Sequence, residues 1–167
     1  RDNEPVVQVS YHDAVAFARW AGRELPTEEQ YEYAARGGLQ GRTYAWGNQM
    51  MPGGNWMANT WQGHFPDRDT AEDGYRRLAP AGCFPPNGYG LYDMVGNVWK
   101  WTSSVYSPTR ATSSSAARIE RVIKGGSFMC SSNYCRRFRP AARQPQESGF
   151  SSMHLGFRTV NSRQPVP

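Results

Sequence analysis

Beyond Gly38 the sequence loses every helical period, and glycine, proline, asparagine and aromatic residues take over. The chain carries 17 glycines and 12 prolines among its 167 residues. Such residues set turns and break regular elements. This restricts the chain to a fold of long irregular loops around few helices and strands. Hydrophobic residues make up 38% and charged residues 20%, a globular composition and not a disordered one. No repeat, linker or second domain is visible, so residues 1–167 read as one domain with one core.

Two helices are legible before Gly38. Ser10 reads as an N-cap with Asp13 as its reciprocal partner. Ala14, Phe17, Ala18 and Ala21 then share one face, and Gly22 can close the helix in a left-handed conformation. The second helix starts at Thr27 with Gln30 as its partner, turns Tyr31, Ala34 and Ala35 inward, and ends at Gly37-Gly38. Short strands are expected at 91–94, 98–102, 121–125 and 155–160, and a Ser/Ala-rich surface loop at 107–117. The fold class is therefore α+β. Six tryptophans and nine tyrosines are expected to fill the space that loops leave.

No apolar run approaches the ~20 residues of a membrane span, and no cationic start with a short apolar stretch marks a signal peptide. The chain begins at Arg1, which suggests a fragment or a processed chain and leaves a lost targeting segment open. The net charge is +5, but positive residues are interleaved with acidic ones except for Arg136, Arg137, Arg139 and Arg143. No nucleic-acid motif accompanies that cluster, so neither nucleic acid nor membrane is expected as a partner. Cys83, Cys130 and Cys135 are too few, and odd in number, for a secreted disulfide framework. A reducing, cytoplasmic home is expected.

Cys130 and Cys135 stand five apart. That separation puts them on opposite faces of a strand and aligns them poorly on a helix. The backbone must turn if the sulfurs meet, and Ser131, Ser132 and Asn133 are good turn formers. The arginines after Cys135 favour thiolate over thiol. Three readings stand open on spacing alone. The two are buried small side chains or an incidental disulfide; they are part of a zinc site; or they form a redox or soft-metal site. Zinc wants about four nitrogen or sulfur ligands, and His12, His64 and His154 are not paired near a cysteine. Two thiolates alone suit Cu(I).

The chain resembles the formylglycine-generating enzyme family of sulfatase-modifying factors. The resemblance rests on Arg23-Glu24-Leu25-Pro26-Thr27-Glu28-Glu29, Ala34-Ala35-Arg36-Gly37-Gly38 and Trp46-Gly47-Asn48. It continues through Asn59-Thr60-Trp61-Gln62-Gly63, Glu72-Asp73-Gly74-Tyr75 and the run from Phe84 to Asp93. Gly96-Asn97-Val98-Trp99, Gly125-Gly126-Ser127, the cysteine pair and Leu155-Gly156-Phe157-Arg158 complete it. The Trp-Gln-Gly segment and the cysteine pair with Tyr134 are its narrowest parts. The resemblance implies a C-type-lectin-like fold with low regular structure and short antiparallel strands. It also implies that the N-terminal part of the family domain is missing.

Its functional implication is an oxidase that converts a cysteine in a Cys-x-Pro-x-Arg motif of an unfolded sulfatase to formylglycine. Dioxygen, a thiol reductant and Cu(I) on Cys130 and Cys135 are implied with it, and a monomer is expected. By resemblance Ser127, Tyr134 and Trp99 line the site, and Arg143 and His154 contact the substrate peptide. His154 stands where some members have asparagine. A calcium site is implied at Asn59, Thr60, Asp73 and Tyr75. A second maps to Asp93, Gly96 and Val98, but Lys100 replaces the usual glutamate, and an ammonium cannot ligate a cation. That site is expected to be empty or filled by Lys100 itself. Pro140 and Thr159 stand where secreted members have disulfide cysteines, which supports a bacterial-like context. Two rivals remain: a non-catalytic lectin-like binding module, and an iron-dependent sulfoxide synthase relative, whose histidine cluster is not visible.

Overall fold

The computed structural model describes residues 3–108 and 119–161. Positions 109–117 of the expected Ser/Ala-rich loop lie outside the described residues. Helix α1 spans Tyr11–Trp20 and helix α2 spans Glu28–Arg36. Both begin with a complete capping box, Ser10 with Asp13 and Thr27 with Gln30, as the sequence predicts. Gly37 closes α2 in the left-handed conformation. Asn87 then holds the open helix end, its Nδ2 donating to the Ala34 carbonyl at 2.6 Å. Phe17 departs from expectation. It lies 48% exposed and packs on Trp20 and Phe157 at the surface.

Four strands form one sheet in the order β3-β2-β1-β4: β1 Trp99–Val105, β2 Glu120–Lys124, β3 Gln144–Glu147 and β4 Leu155–Phe157. The β1–β2 and β2–β3 pairings are antiparallel, and β4 joins β1 in parallel, with Trp99 opposite Leu155. Central β1 buries Trp99, Lys100, Trp101 and Thr102 in succession, because both of its faces are covered. The Trp101 indole donates to the Val9 carbonyl at 3.0 Å, which satisfies its buried N–H.

Residues 91–94 are a loop and not a strand. The Asn87 side chain captures the Leu91 N–H, and Met94 drops into a small core with Tyr31 and Ala35. Strand β3 went unpredicted because Gln144-Pro145-Gln146-Glu147 has no apolar alternation. It is an edge strand, where proline is tolerated. The main core joins Ala14, Ala18 and Leu25 to Trp99, Trp101, Ile123, Phe138 and Leu155, and Cys130 belongs to it. Among the described residues, no helix is long and apolar enough to cross a membrane.

Candidate functional site

The site grows out of the end of β2. Gly126 adopts φ +71°, and a Cβ there would sit 2.8 Å from the backbone of Phe138, so only glycine lets the two segments touch. A tight turn follows, in which the Cys130 N–H donates to the Ser127 carbonyl at 2.9 Å. Next comes the Ser131-Ser132-Asn133 turn that the sequence predicts. The Cys135 N–H donates to the Ser131 carbonyl at 3.0 Å, and Ser131 Oγ accepts from the Tyr134 N–H. From across the fold, the Trp61 N–H donates to the Cys130 carbonyl at 3.0 Å. These bonds bring Cys130 Sγ and Cys135 Sγ to 3.1 Å, both as free thiols.

The two sulfurs differ in environment. Cys130 is 2% exposed, whereas Cys135 is half-buried and reaches the surface. The hydrogen bond between them and the burial of Cys130 push the Cys130 thiol well up. The same hydrogen bond pulls Cys135 down to about 6, helped by the backbone N–H and charge of Arg137. The proton affinities of the two sulfurs thus diverge, upward at Cys130 and downward at Cys135.

Ser127 is fully buried beside them. Its N–H approaches Cys130 Sγ at 3.5 Å and its Oγ lies 2.9 Å from His154 Nδ1. Burial lowers the His154 pKa, so the neutral imidazole is favoured. Trp99 lies buried behind, and its N–H donates to the His154 carbonyl at 2.8 Å. Tyr134 instead faces solvent at 72% exposure. It stacks on Phe65 with centroids 4.6 Å apart, and Phe65 meets Trp61 edge-on at 5.0 Å. Sequence reasoning missed Phe65, which lies 68 residues from Asn133; the Asn133 side chain binds its backbone N–H and carbonyl.

Arg143 is engaged elsewhere. Its guanidinium grips Glu28 with two bonds of 2.8 and 3.0 Å, donates to the Ser107 carbonyl and lies over the Tyr106 ring. None of these partners belongs to the dithiol site.

In the first implied calcium site, Thr60 and Tyr75 meet Asp73 through their N–H groups, and Asp73 also accepts from Gln62. Burial raises the Asp73 pKa. Among the described residues, Asn59 Oδ1 is buried with no hydrogen-bond partner. A desolvated carboxylate and an orphaned amide oxygen are donors of the kind a hard, oxygen-loving cation takes, while the Thr60 carbonyl already accepts from the Gln62 side chain. The second implied site does not fit one. Lys100 Nζ donates to the Gly96 carbonyl at 2.8 Å, and so occupies a would-be ligand. Among the described residues, no three His, Cys, Asp or Glu side chains cluster to hold a metal.

Fold and site together define a loop-rich α+β domain that presents a reduced dithiol beside a small mixed sheet. Residues 1–163 match the family model described as the sulfatase-modifying factor enzyme 1-like domain. The chain belongs to this family. It is similar to the formylglycine-generating enzyme of Streptomyces coelicolor, 51% identical over 96% of this chain and 54% of that protein. It is also similar to the inactive C-alpha-formylglycine-generating enzyme 2 of Mus musculus, 46% identical over 95% of this chain and 49% of that protein. The chain spans about half the length of the curated relatives it matches. Among solved structures, PvdO from Pseudomonas aeruginosa superposes with a TM-score of 0.68 at 25% identity, over 94% of this chain and 61% of that one.

Two outcomes follow from this geometry. Iodoacetamide alkylation mapped by mass spectrometry should reach Cys135 with a half-maximum near pH 6, rising with pH as thiolate forms, while Cys130 stays unmodified through neutral pH. Equal rates at both would contradict the asymmetry. Arg143→Ala should lower the unfolding free energy in urea by about 3–5 kcal/mol, because it leaves the buried Glu28 carboxylate unpaired. A loss near zero would show that the pair is not structural.

Proposed function

We propose that this chain is the dithiol-bearing part of an enzyme that converts a cysteine in sulfatase polypeptides to formylglycine. The observation that carries the reading is the 3.1 Å approach of Cys130 and Cys135, one sulfur in the core and one at the surface. Relatives named formylglycine-generating enzyme support it. The donor set is soft and free of carboxylates, which fits Cu(I) on the two sulfurs. That ion would supply the one-electron chemistry by which dioxygen oxidises a substrate thiol.

The chain's own residues would do the rest. Cys135 gives up its proton more readily than Cys130, which favours loading of an ion from the exposed side. Burial of Cys130, Ser127 and Trp99 keeps bulk water from one side of the pair. His154 Nδ1 and the Ser127 hydroxyl share a hydrogen bond that fixes the Ser127 side chain, while the Ser127 N–H faces Cys130 Sγ. The exposed Tyr134–Phe65 stack would give an extended substrate segment an aromatic wall. The substrate cysteine would pass the edge of this stack to reach the half-exposed Cys135. Dioxygen accepts four electrons in this scheme, two from the substrate cysteine and two from a thiol reductant, and sulfide and water leave. Calcium on Asn59, Thr60, Asp73 and Tyr75 would tie the loops that carry Trp61.

A non-catalytic role is the second reading, favoured by the relative that bears the word inactive in its name. The paired reduced thiols favour the enzyme. The test is a peptide carrying Cys-x-Pro-x-Arg, mixed with Cu(I)-loaded protein, a thiol reductant and air. Mass spectrometry should find an aldehyde in place of the thiol. Removing only a partner behind a metal ligand already costs about 10–100-fold, so Cys130→Ala and Cys135→Ala should each lose at least that much turnover. Unchanged turnover in either variant would remove this reading.

A further inference from the structure

Lys100 carries an amine into the interior of the fold at 3% exposure. It sits on central β1 between Trp99 and Trp101, and the loop before the strand wraps its head. Three residues of that loop are left-handed: Asp93 at φ 52°, Gly96 at φ 73° and Asn97 at φ 60°. Two of them are not glycine, and such strain persists only where surroundings hold it. Gly96 cannot be otherwise, since a Cβ would lie 2.5 Å from the Asn59 carbonyl. The loop therefore turns its Gly96 carbonyl onto Lys100 Nζ at 2.8 Å. Burial and the Arg158 charge lower the Lys100 pKa to about 7, Asp93 opposes them with its negative charge, and Asp93 Oδ2 accepts from the Gly82 N–H at 2.7 Å. The Gly96 N–H in turn donates to the Gly125 carbonyl at 2.8 Å, at the base of the dithiol turn.

A carboxylate and a backbone carbonyl gathered by one loop are the ingredients of a hard-cation site. Here the amine that meets that carbonyl is tethered to the chain. We propose that the Lys100 amine takes the place of an exchangeable calcium ion in loop 93–98. This part of the fold then keeps its shape without that metal, and the site is one substitution from binding it. Lys100→Glu removes the amine and supplies a carboxylate beside the Asp93 carboxylate and the Gly96 carbonyl. Asp93, Lys100 and Arg158 also line a cavity of about 850 Å³ together with Val6, Phe17 and Phe157. An ion has a path to the loop through it.

Isothermal titration of calcium into metal-free protein tests this, with no dependence on copper or on turnover. Lys100→Glu should bind one more calcium ion per chain than the wild type, whatever number the wild type binds. Its melting temperature should rise with calcium by several degrees more than that of the wild type. Asp93→Asn in the Lys100→Glu background should abolish the extra ion. In the wild-type background Asp93→Asn should leave the calcium count unchanged. A folded Lys100→Glu protein that gains no ion would overturn the proposal. Should that variant not fold with or without calcium, the wild-type arm decides alone: loss of a bound calcium in Asp93→Asn would mean that a metal, and not Lys100, holds the loop.

Discussion

The approach of Cys130 to Cys135 depends on backbone hydrogen bonds that leave the chain no other path. The two cysteines stand five positions apart, and no regular element would bring their sulfurs together. Two consecutive turns do so, pinned by the Ser127 and Ser131 carbonyls and by the Trp61 N–H from a distant loop. Cys130 is then locked into the main core with Trp99, Trp101 and Phe138. Because one sulfur is anchored and the other half-exposed, their proton affinities diverge. A symmetric, fully buried pair would hold both protons more tightly, and both would have to leave before a metal could bind. A fully exposed pair would exchange freely with external thiols.

So little regular structure raises a second problem, which is where the loop backbone finds its hydrogen bonds. Asparagine and aspartate side chains supply many of them. Asn97 accepts from the Ala79 N–H and donates to the Ala79 carbonyl, and Asn59 joins it. Asn87 caps α2 and pins Leu91, while Asp73 gathers the N–H groups of Thr60 and Tyr75. These hubs do for the loops what ladder bonds do for a sheet. They also explain why the site tolerates few strands. A single isolated bridge between Trp61 and Ser131 joins the two loops there, because each is already fixed from within.

Local chemistry was the legible part of the sequence. Both helices follow from their capping boxes and closing glycines, and the Ser131-Ser132-Asn133 turn follows from its residue types. The dithiol follows from spacing plus a resemblance that covers most of the chain, since spacing alone leaves three readings. What stayed hidden depends on distant partners. Strand β3 exists because β2 offers an edge, and the residues at 91–94 fail as a strand because Asn87 captures them. The Tyr134–Phe65 stack spans nearly 70 positions of sequence, and no local pattern announces it. The ion pair of Arg143 with Glu28, 115 positions away and buried, has no local signal either. Glu28 itself reads as an ordinary first-turn acid.

Anaerobic titration of the reduced chain with Cu(I), read by competition with a coloured chelator and by X-ray absorption, tests the central claim most directly. One ion per chain with two sulfur neighbours is predicted, and either Cys130→Ser or Cys135→Ser should abolish it. Tight binding retained in one of those variants, or an ion held by nitrogen and oxygen alone, would contradict the account.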